Sequence, residues 1–279
     1  MRYGGDTIAA IENSDARAVG PAGGVWSNVS DMSRWMLFLL DSGRLEGKRL
    51  LQQSTYEELF KPQVMVPPGE FYPTAELTKP HWMTYGLGWF QEDYNGRMLN
   101  FHTGSLNGMV AIIGLVQEDR FGVYVLANVD HAEVRHALMY KATDLYLGNP
   151  PRDWSTDLNK LYSARRKSGD SLRIANDAKR LAGTRPTLAL SNYAGTYEDP
   201  LIGRMVVVES GGKLRINMGP HYAGELEQWQ NDTFRVHYDR RWQGTDQISF
   251  TIGNGVPTAL NIAGYSLARV SAGGAPATH

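Results

Sequence analysis

The first part of the chain carries apolar side chains at helical spacing. The residues that share this spacing, about 3.6 residues per turn, are Met32, Trp35, Met36, Leu39 and Leu40. The spacing predicts a helix that Ser30 caps and Gly43 follows. Residues 1–24 show no such pattern and are predicted to be irregular, with a turn at Pro21-Ala22-Gly23-Gly24.

A second helix is predicted at Ser54-Thr55-Tyr56-Glu57, because a Ser followed three residues later by Glu forms a capping box. Pro62, Pro67 and Pro68 then prevent helix continuation. Residues 62–81 are therefore predicted to form a long loop.

The period changes to two after this loop, which is typical of strands. The predicted strands are Gly86–Tyr94, Arg97–Thr103, Met109–Val116 and Phe121–Ala127. Asn95-Gly96 is a hairpin signal, and the other connections are also short, so we expect an antiparallel meander. A helix from about Ala132 to Leu147 follows, with Asp130 as its expected cap.

The C-terminal half combines a polar helical segment with a run of short strands. Residues 153–182 predict a helical linker in which Gly169 is the expected point of a break. The strands predicted beyond it are Tyr193–Tyr197, Arg204–Glu209, Lys213–Asn217, Gly224–Gln230, Thr233–Tyr238 and Gln247–Ile252. This rhythm favours a small barrel or sandwich.

The predicted fold class is therefore α+β: an antiparallel sheet with helices, followed by a small all-β barrel domain. The predicted bounds are 1–150 for the sheet domain, 151–187 for the linker and 188–270 for the barrel. Residues 271–279 are rich in Ala and Gly and are predicted to be a disordered tail.

Composition narrows the function classes. The net charge of −1 gives no basic surface for nucleic acid, and the absence of Cys excludes disulfides and thiolate chemistry. No apolar run approaches the roughly twenty residues of a membrane helix, and the N-terminus lacks the apolar core of a signal peptide. The localisation stays undetermined. His131 and His136 stand five residues apart, which directs them to different helix faces, so we expect no metal site and no cofactor.

One segment carries candidate chemistry: His102-Thr103-Gly104-Ser105, directly before an apolar strand. No Gly-x-Ser-x-Gly elbow, His-Glu-x-x-His or phosphate-binding loop occurs. Acyl transfer needs a nucleophile, a base and donors for an oxyanion. His102 and Thr103 can serve proton transfer or hold a substrate carboxylate, and Gly104 permits close approach to the strand.

The triplet His102-Thr103-Gly104 resembles the Lys-Thr-Gly or His-Thr-Gly strand of serine β-lactamases, penicillin-binding proteins and related esterases. Pro21–Ser27 with the helix at Asp31–Trp35, and Tyr85–Trp89, resemble flanking segments of class C-like members, in the family's order. The similarity extends from about Arg17 to Leu147. It implies the C-terminal part of a β-lactamase-like fold, an acyl-enzyme reaction, and a role for the Ser105 backbone N–H as an oxyanion donor.

The same comparison shows what is missing. The part of the chain that resembles the family contains no Ser-x-x-Lys, the motif of the family's nucleophile. Ser105-Leu106-Asn107 matches the second motif only in spacing, and we interpret it as a turn. We therefore expect an N-terminally truncated or degenerate relative that is inactive alone. The alternative is a non-catalytic protein of this family that binds a ligand or a partner.

The C-terminal strands resemble the small lipocalin-like domain that is appended to such hydrolases, with Leu190–Tyr197 as its first strand. Its aromatic residues are predicted to form the barrel core or, alternatively, to line a ligand pocket: Trp229, Phe234, Tyr238, Trp242 and Phe250. The expected partners are a small-molecule or peptide substrate. A homo-oligomer or another partner is expected to cover apolar sheet surface that the missing helices leave exposed.

Overall fold

The computed structural model describes residues 2–4, 7–13, 20–129, 133–219 and 222–270. The chain divides into two compact units, residues 1–169 and 170–279. Each unit is built around its own antiparallel sheet. The predicted α+β class, with a barrel at the C-terminal end, is confirmed.

The first unit begins with short elements, where the sequence predicts irregular structure. These are β1 (Arg2–Gly4), β2 (Thr7–Ala9) and the single turn α1 (Gly20–Gly23). Gly24 donates its N–H to the Gly20 carbonyl at 2.8 Å, which closes that helical turn. Expecting no regular structure in residues 1–24 is therefore wrong for the described part of this segment.

The first long helix, α2, runs from Val29 to Leu40. Its N-cap is Asn28, whose Oδ1 accepts from the Asp31 N–H at 3.1 Å, so the prediction of Ser30 as the cap is wrong. Ser30 already lies inside the helix, and an Asn side chain satisfies the free N–H as well as Ser would. Gly43 adopts φ +79° beyond the end of the helix and donates to the Phe38 carbonyl, as its conformational freedom allows.

The connection to the sheet is more regular than predicted. It comprises the small hairpin β3 (Arg44–Leu45) and β4 (Lys48–Arg49), then α3 (Gln53–Phe60), β5 (Val64–Met65) and α4 (Ala75–Thr78). Helix α3 begins before Ser54 with Gln52 at its N-cap and no side-chain cap, so the predicted capping box does not form. Residues 62–81 are likewise not a continuous loop, because β5 joins the sheet edge.

The main sheet has the strand order β10-β9-β8-β7-β6-β5. Its remaining strands are β6 (Met83–Tyr85), β7 (Phe90–Tyr94), β8 (Arg97–Leu106), β9 (Met109–Val116) and β10 (Phe121–Ala127). The meander and the Asn95-Gly96 turn are confirmed, with φ +50° and +78° as a type I′ turn requires. The single predicted strand Gly86–Tyr94 is wrong, because a tight turn at Gly86–Trp89 separates β6 from β7.

Helices cover both faces of this sheet. Alternate side chains of β8 and β9 pack against α5 (Val134–Leu147), as Phe101 and Ile112 do, or against α2 and α3, as Ile113 and Leu115 do. The predicted start of α5 near Ala132 and its cap Asp130 lie outside the described residues. Helix α6 (Trp154–Ala178) continues through Gly169, so the expected break there is wrong.

The second unit is a closed barrel of eight antiparallel strands. After the turn α7 (Leu190–Tyr193) come β11 (Gly195–Asp199), β12 (Gly203–Ser210), β13 (Lys213–Asn217), β14 (Ala223–Gln230), β15 (Thr233–Tyr238), β16 (Thr245–Gly253), β17 (Val256–Ile262) and β18 (Tyr265–Val270). The last strands, β17 and β18, are missed from the sequence. They close the barrel where Thr196 pairs with Val270. The predicted tail 271–279 lies outside the described residues.

The aromatic residues of the barrel form its core. Phe234, Tyr238 and Phe250 are buried in one cluster with Tyr193 and Tyr197. The rings of Phe234 and Phe250 meet those of the two tyrosines edge to face. They fill the interior of the barrel, so the structure supports the core interpretation for these three residues. Trp229 lies outside this cluster and stacks under the Arg235 guanidinium at 3.5 Å.

Candidate functional site

The candidate site lies within strand β8. The sequence predicts that the strand ends at Thr103, but it continues to Leu106, so His102-Thr103-Gly104 is extended backbone paired with Ile113, Ile112 and Ala111 of β9. Ser105 and Leu106 also belong to the strand, and only Asn107 lies in the turn. Interpreting Ser105-Leu106-Asn107 as a turn is therefore wrong for its first residues.

The β8 edge, defined here as Thr103–Ser105, lacks a strand partner on one side. Strand β7 begins at Phe90, opposite Phe101, so it does not reach this segment. The two residues that flank a two-residue hairpin turn bond each other through both of their backbone N–H and C=O groups. Along an antiparallel strand, the backbone N–H groups point alternately to one neighbouring strand and to the other. Because Arg97 flanks the Asn95-Gly96 turn, the backbone N–H groups of Thr103 and Ser105 point away from β9. Within the described residues, no strand pairs with them there.

His102 and Gly104 lie on the α2 face of the sheet. The His102 side chain is exposed, and its ring lies 6.2 Å from the Phe90 ring and 6.4 Å from the Tyr85 ring. A Cβ placed on Gly104 would meet no atom within 4 Å, and its φ is not in the left-handed region. The fold therefore does not require glycine at this position. The absence of a side chain does, however, let another molecule approach the backbone closely.

Thr103 points to the opposite face and is held there. Its hydroxyl donates to the Ala111 carbonyl at 2.8 Å and accepts from Arg135 Nε at 2.9 Å. The hydroxyl that the sequence analysis offered to a substrate carboxylate therefore already has a donor and an acceptor within the protein. Arg135, which is 5% exposed, is the residue that sequence reasoning missed.

The contact between Thr103 and Arg135 predicts a stability difference. Thr103→Val keeps the shape but removes the acceptor of a buried charged donor, so we expect a loss of about 2 kcal/mol in the free energy of unfolding. Thr103→Ser keeps the hydroxyl and should remain close to the parent. Urea denaturation of the full chain measures both variants, and equal stability of the two would contradict this assignment.

Arg135 belongs to a group of buried and half-buried polar residues behind the β8 edge. Glu133 Oε2 lies 3.6 Å from the Arg135 guanidinium and 3.1 Å from His136 Nδ1, and His136 Nε2 contacts the Tyr72 hydroxyl at 3.0 Å. Burial lowers the pKa of His136, so its imidazole is held neutral near pH 7. Burial also raises the pKa of Tyr72. No sequence motif marks this group, because Tyr72 and Thr103 come from segments far from residues 133–136.

The sequence analysis also did not identify one fully buried acid. Glu92 on β7 is fully buried and accepts hydrogen bonds from the Tyr140 hydroxyl at 3.1 Å and the Thr78 hydroxyl at 3.4 Å. Burial raises the pKa of Glu92 from its ordinary value of 4.5 to about 7. Alternation on β7 predicts an inward-facing position but not a charged residue there.

One Ser-x-x-Lys spacing occurs in the chain outside the part that resembles the family, at Ser210 and Lys213. Ser210 and Lys213 flank the hairpin turn between β12 and β13, and Gly211 and Gly212 adopt φ +61° and +77°. The family motif requires a helical turn to bring Lys to Ser. Lys213 instead pairs with Glu225 at 2.9 Å, so this match is a barrel turn.

Among the described residues, no three His, Cys, Asp or Glu side chains are grouped as a metal site would require. A search of the same residues for a helix long and apolar enough to cross a membrane finds none.

Comparison with known proteins shows the family to which the chain belongs. The Beta-lactamase family model matches residues 2–147, just over half of the chain, and the chain belongs to this family. Residues 179–273 match a domain of unknown function, DUF3471. The likeness of the barrel to lipocalin-like domains stays a prediction.

The individual relatives are distant. The chain is 24% identical over 197 residues to the unguisins hydrolase ungD' of Aspergillus campestris, covering 68% of this chain and 35% of that protein. The chain thus spans about a third of the length of this curated relative.

Among solved structures, the octameric penicillin-binding protein homologue from Pyrococcus abyssi matches with 19% identity and a TM-score of 0.38 over 86% of this chain and 46% of that one. The C-terminal domain of a penicillin-binding protein matches with 23% identity and a TM-score of 0.28, over 33% of this chain and 94% of that one.

Proposed function

We propose that residues His102, Thr103, Gly104 and Ser105 form one wall of the acyl-transfer site of a β-lactamase-family serine hydrolase. The reaction is hydrolysis of an ester, a β-lactam or a D-amino-acid peptide through an acyl-enzyme. The chain contributes the oxyanion side of the site, and its family region contains no Ser-x-x-Lys, so it is inactive alone. The related hydrolase from Aspergillus supports the reaction class.

The unpaired β8 edge carries this proposal. A backbone N–H can serve as an oxyanion donor only where it points into free space, since a donor bonded to a neighbouring strand cannot reach a substrate. The N–H of Ser105 meets this requirement, while pairing with β9 fixes its position. Gly104 leaves the adjacent space open, and His102 lies exposed beside it for proton transfer. Thr103 positions the strand through Arg135.

Two measurements on the full chain test the proposal. We expect the amide hydrogens of Thr103 and Ser105 to exchange with solvent much faster than those of His102 and Gly104, which face β9. We expect no hydrolysis of nitrocefin or of a p-nitrophenyl ester above the rate of the His102→Ala variant.

Uniform protection of all four amides would show that the edge is paired and would overturn the oxyanion role. Turnover together with fluorophosphonate labelling of a serine would contradict the expected inactivity. Turnover that persisted after replacement of every serine upstream of Trp35 would refute the assigned mechanism.

A further inference from the structure

An apolar cleft opens directly beside the β8 edge. This Trp26 cleft encloses about 400 Å³ between the segment that precedes α2 and the β8–β9 hairpin. Its apolar walls include Trp26, Met32, Leu106, Met109, Tyr124 and Leu126. His102, Gly104 and Ser105 also line it. The volume is that of a pocket for a small organic molecule.

The lining of the cleft carries no formally charged carboxylate, ammonium or guanidinium group. Among the described residues that line it, none is Asp, Glu, Lys or Arg, and the polar side chains are those of His102, Ser105, Ser27 and Tyr124. A charged ligand buried here would lose its hydration without gaining an ion pair. A neutral ligand with an apolar body and a single polar group matches the lining.

The exposed apolar residues at the mouth indicate that this surface has an occupant. Trp26 is 59% exposed and Val25 is 86% exposed, and both line the cleft. Contiguous exposed apolar area of this kind marks a binding surface more often than a solvated one. Gly104 forms part of the floor without any steric need for glycine in the fold.

We propose that the Trp26 cleft binds the apolar acyl group of a neutral carbonyl substrate, with the carbonyl oxygen directed to the Ser105 N–H. The cleft thereby selects esters or lactams with a large apolar acyl group over charged peptides. This specificity rests on the acyl-transfer role proposed above, since that role places the carbonyl at Ser105. Binding requires no nucleophile, so the isolated chain can test it.

The test compares neutral and charged probes on the full ¹⁵N-labelled chain by NMR titration. Octanamide carries an apolar chain and a carbonyl, acetamide lacks the chain, and octanoate carries a charge. We expect octanamide to bind at least about tenfold more tightly than acetamide, because each buried methylene contributes about a fourfold gain in affinity. We expect a similar margin over octanoate, because the carboxylate would lose its hydration in the cleft. The Ser105 amide and the Trp26 indole N–H should shift together.

Gly104→Val should fill the cleft floor and weaken octanamide binding at least about tenfold while the melting temperature stays unchanged, because the added atoms enter free space. Gly69→Val is the matched control. A Cβ at Gly69 also meets nothing within 4 Å, but Gly69 does not line the cleft, so binding should be retained.

Three results would overturn the specificity proposal: equal binding of octanamide and octanoate, unchanged binding by Gly104→Val, or a concentration-dependent dimer that Gly104→Val abolishes. The last result would assign the cleft to a second copy of the chain. Fast exchange at Ser105 without octanamide binding would reject the cleft proposal and leave the acyl-transfer proposal standing. Octanamide binding that shifts Trp26 but not Ser105 would show that the carbonyl is not placed at Ser105, and it would overturn the cleft proposal as stated.

Discussion

Gly224→Ala is expected to lower the free energy of unfolding of the barrel by about 3 kcal/mol, the upper part of the range for overpacked positions. A Cβ on Gly224 would lie 2.5 Å from the His237 carbonyl oxygen and 3.0 Å from the Tyr238 Cα. These are backbone atoms of β15, which pairs with β14 on one side and β16 on the other. The strand cannot retreat without breaking one of these pairings.

Gly253→Ala is the control for this prediction. Its Cβ would lie 3.0 Å from the Thr258 Cγ2, a side-chain atom that can move aside, so we expect a loss of no more than about 1 kcal/mol. Urea denaturation followed by circular dichroism measures both variants against the parent. Equal stability of Gly224→Ala and the parent would show that β14 and β15 are not in this register.

Glu92→Gln is expected to make the chain more stable at pH 8, by up to about 3 kcal/mol, and to leave it unchanged near pH 4.5. The folded-state pKa of Glu92 is about 7, above its ordinary value of 4.5, so folding favours the protonated carboxyl. Its contribution to stability therefore declines as pH rises from about 4.5 to about 7. A tenfold change in this equilibrium corresponds to about 1.4 kcal/mol, which sets the magnitude.

The measurement is urea denaturation of parent and variant between pH 4.5 and pH 8. His136 contributes with the opposite sign, because its lowered pKa makes folding less favourable as pH falls, and the difference between parent and variant removes that contribution. Glu57→Gln on the exposed surface of α3 is the control, with an expected change below about 0.5 kcal/mol. A parallel pH dependence in parent and Glu92→Gln would rule out a buried acid with a raised pKa.

The surroundings of Glu92 are an example of contacts that the sequence does not predict. Its partner Tyr140 stands 48 residues away, and nothing in either segment signals that they meet. Arg135 and Thr103 stand 32 residues apart, and no pattern in the sequence predicts their contact. The triplet itself was found because three motifs occur in a known order, whereas its supporting groups follow no such order.

The missed strands have a related cause. β17 and β18 carry weak alternation, and they become strands because β18 pairs with β11, across the barrel closure. Closure satisfies the backbone groups of an edge that would otherwise be unpaired. The predicted domain bounds at 150 and 187 stay a prediction. The division between the two compact units falls after residue 169, inside the continuous helix α6.

The sequence by itself determined the features that depend on neighbours in the chain: helix α2, the Asn95-Gly96 hairpin, the meander and the family triplet at His102. Period, turn chemistry and motif order are local properties, so they can be read without coordinates. Only the tertiary structure decided that β7 begins as late as Phe90, and thus that none of the described strands pairs with the Ser105 N–H on that side. Which backbone groups stay free depends on where a neighbouring strand ends, and strand pairing, unlike periodicity, is a property of the folded sheet.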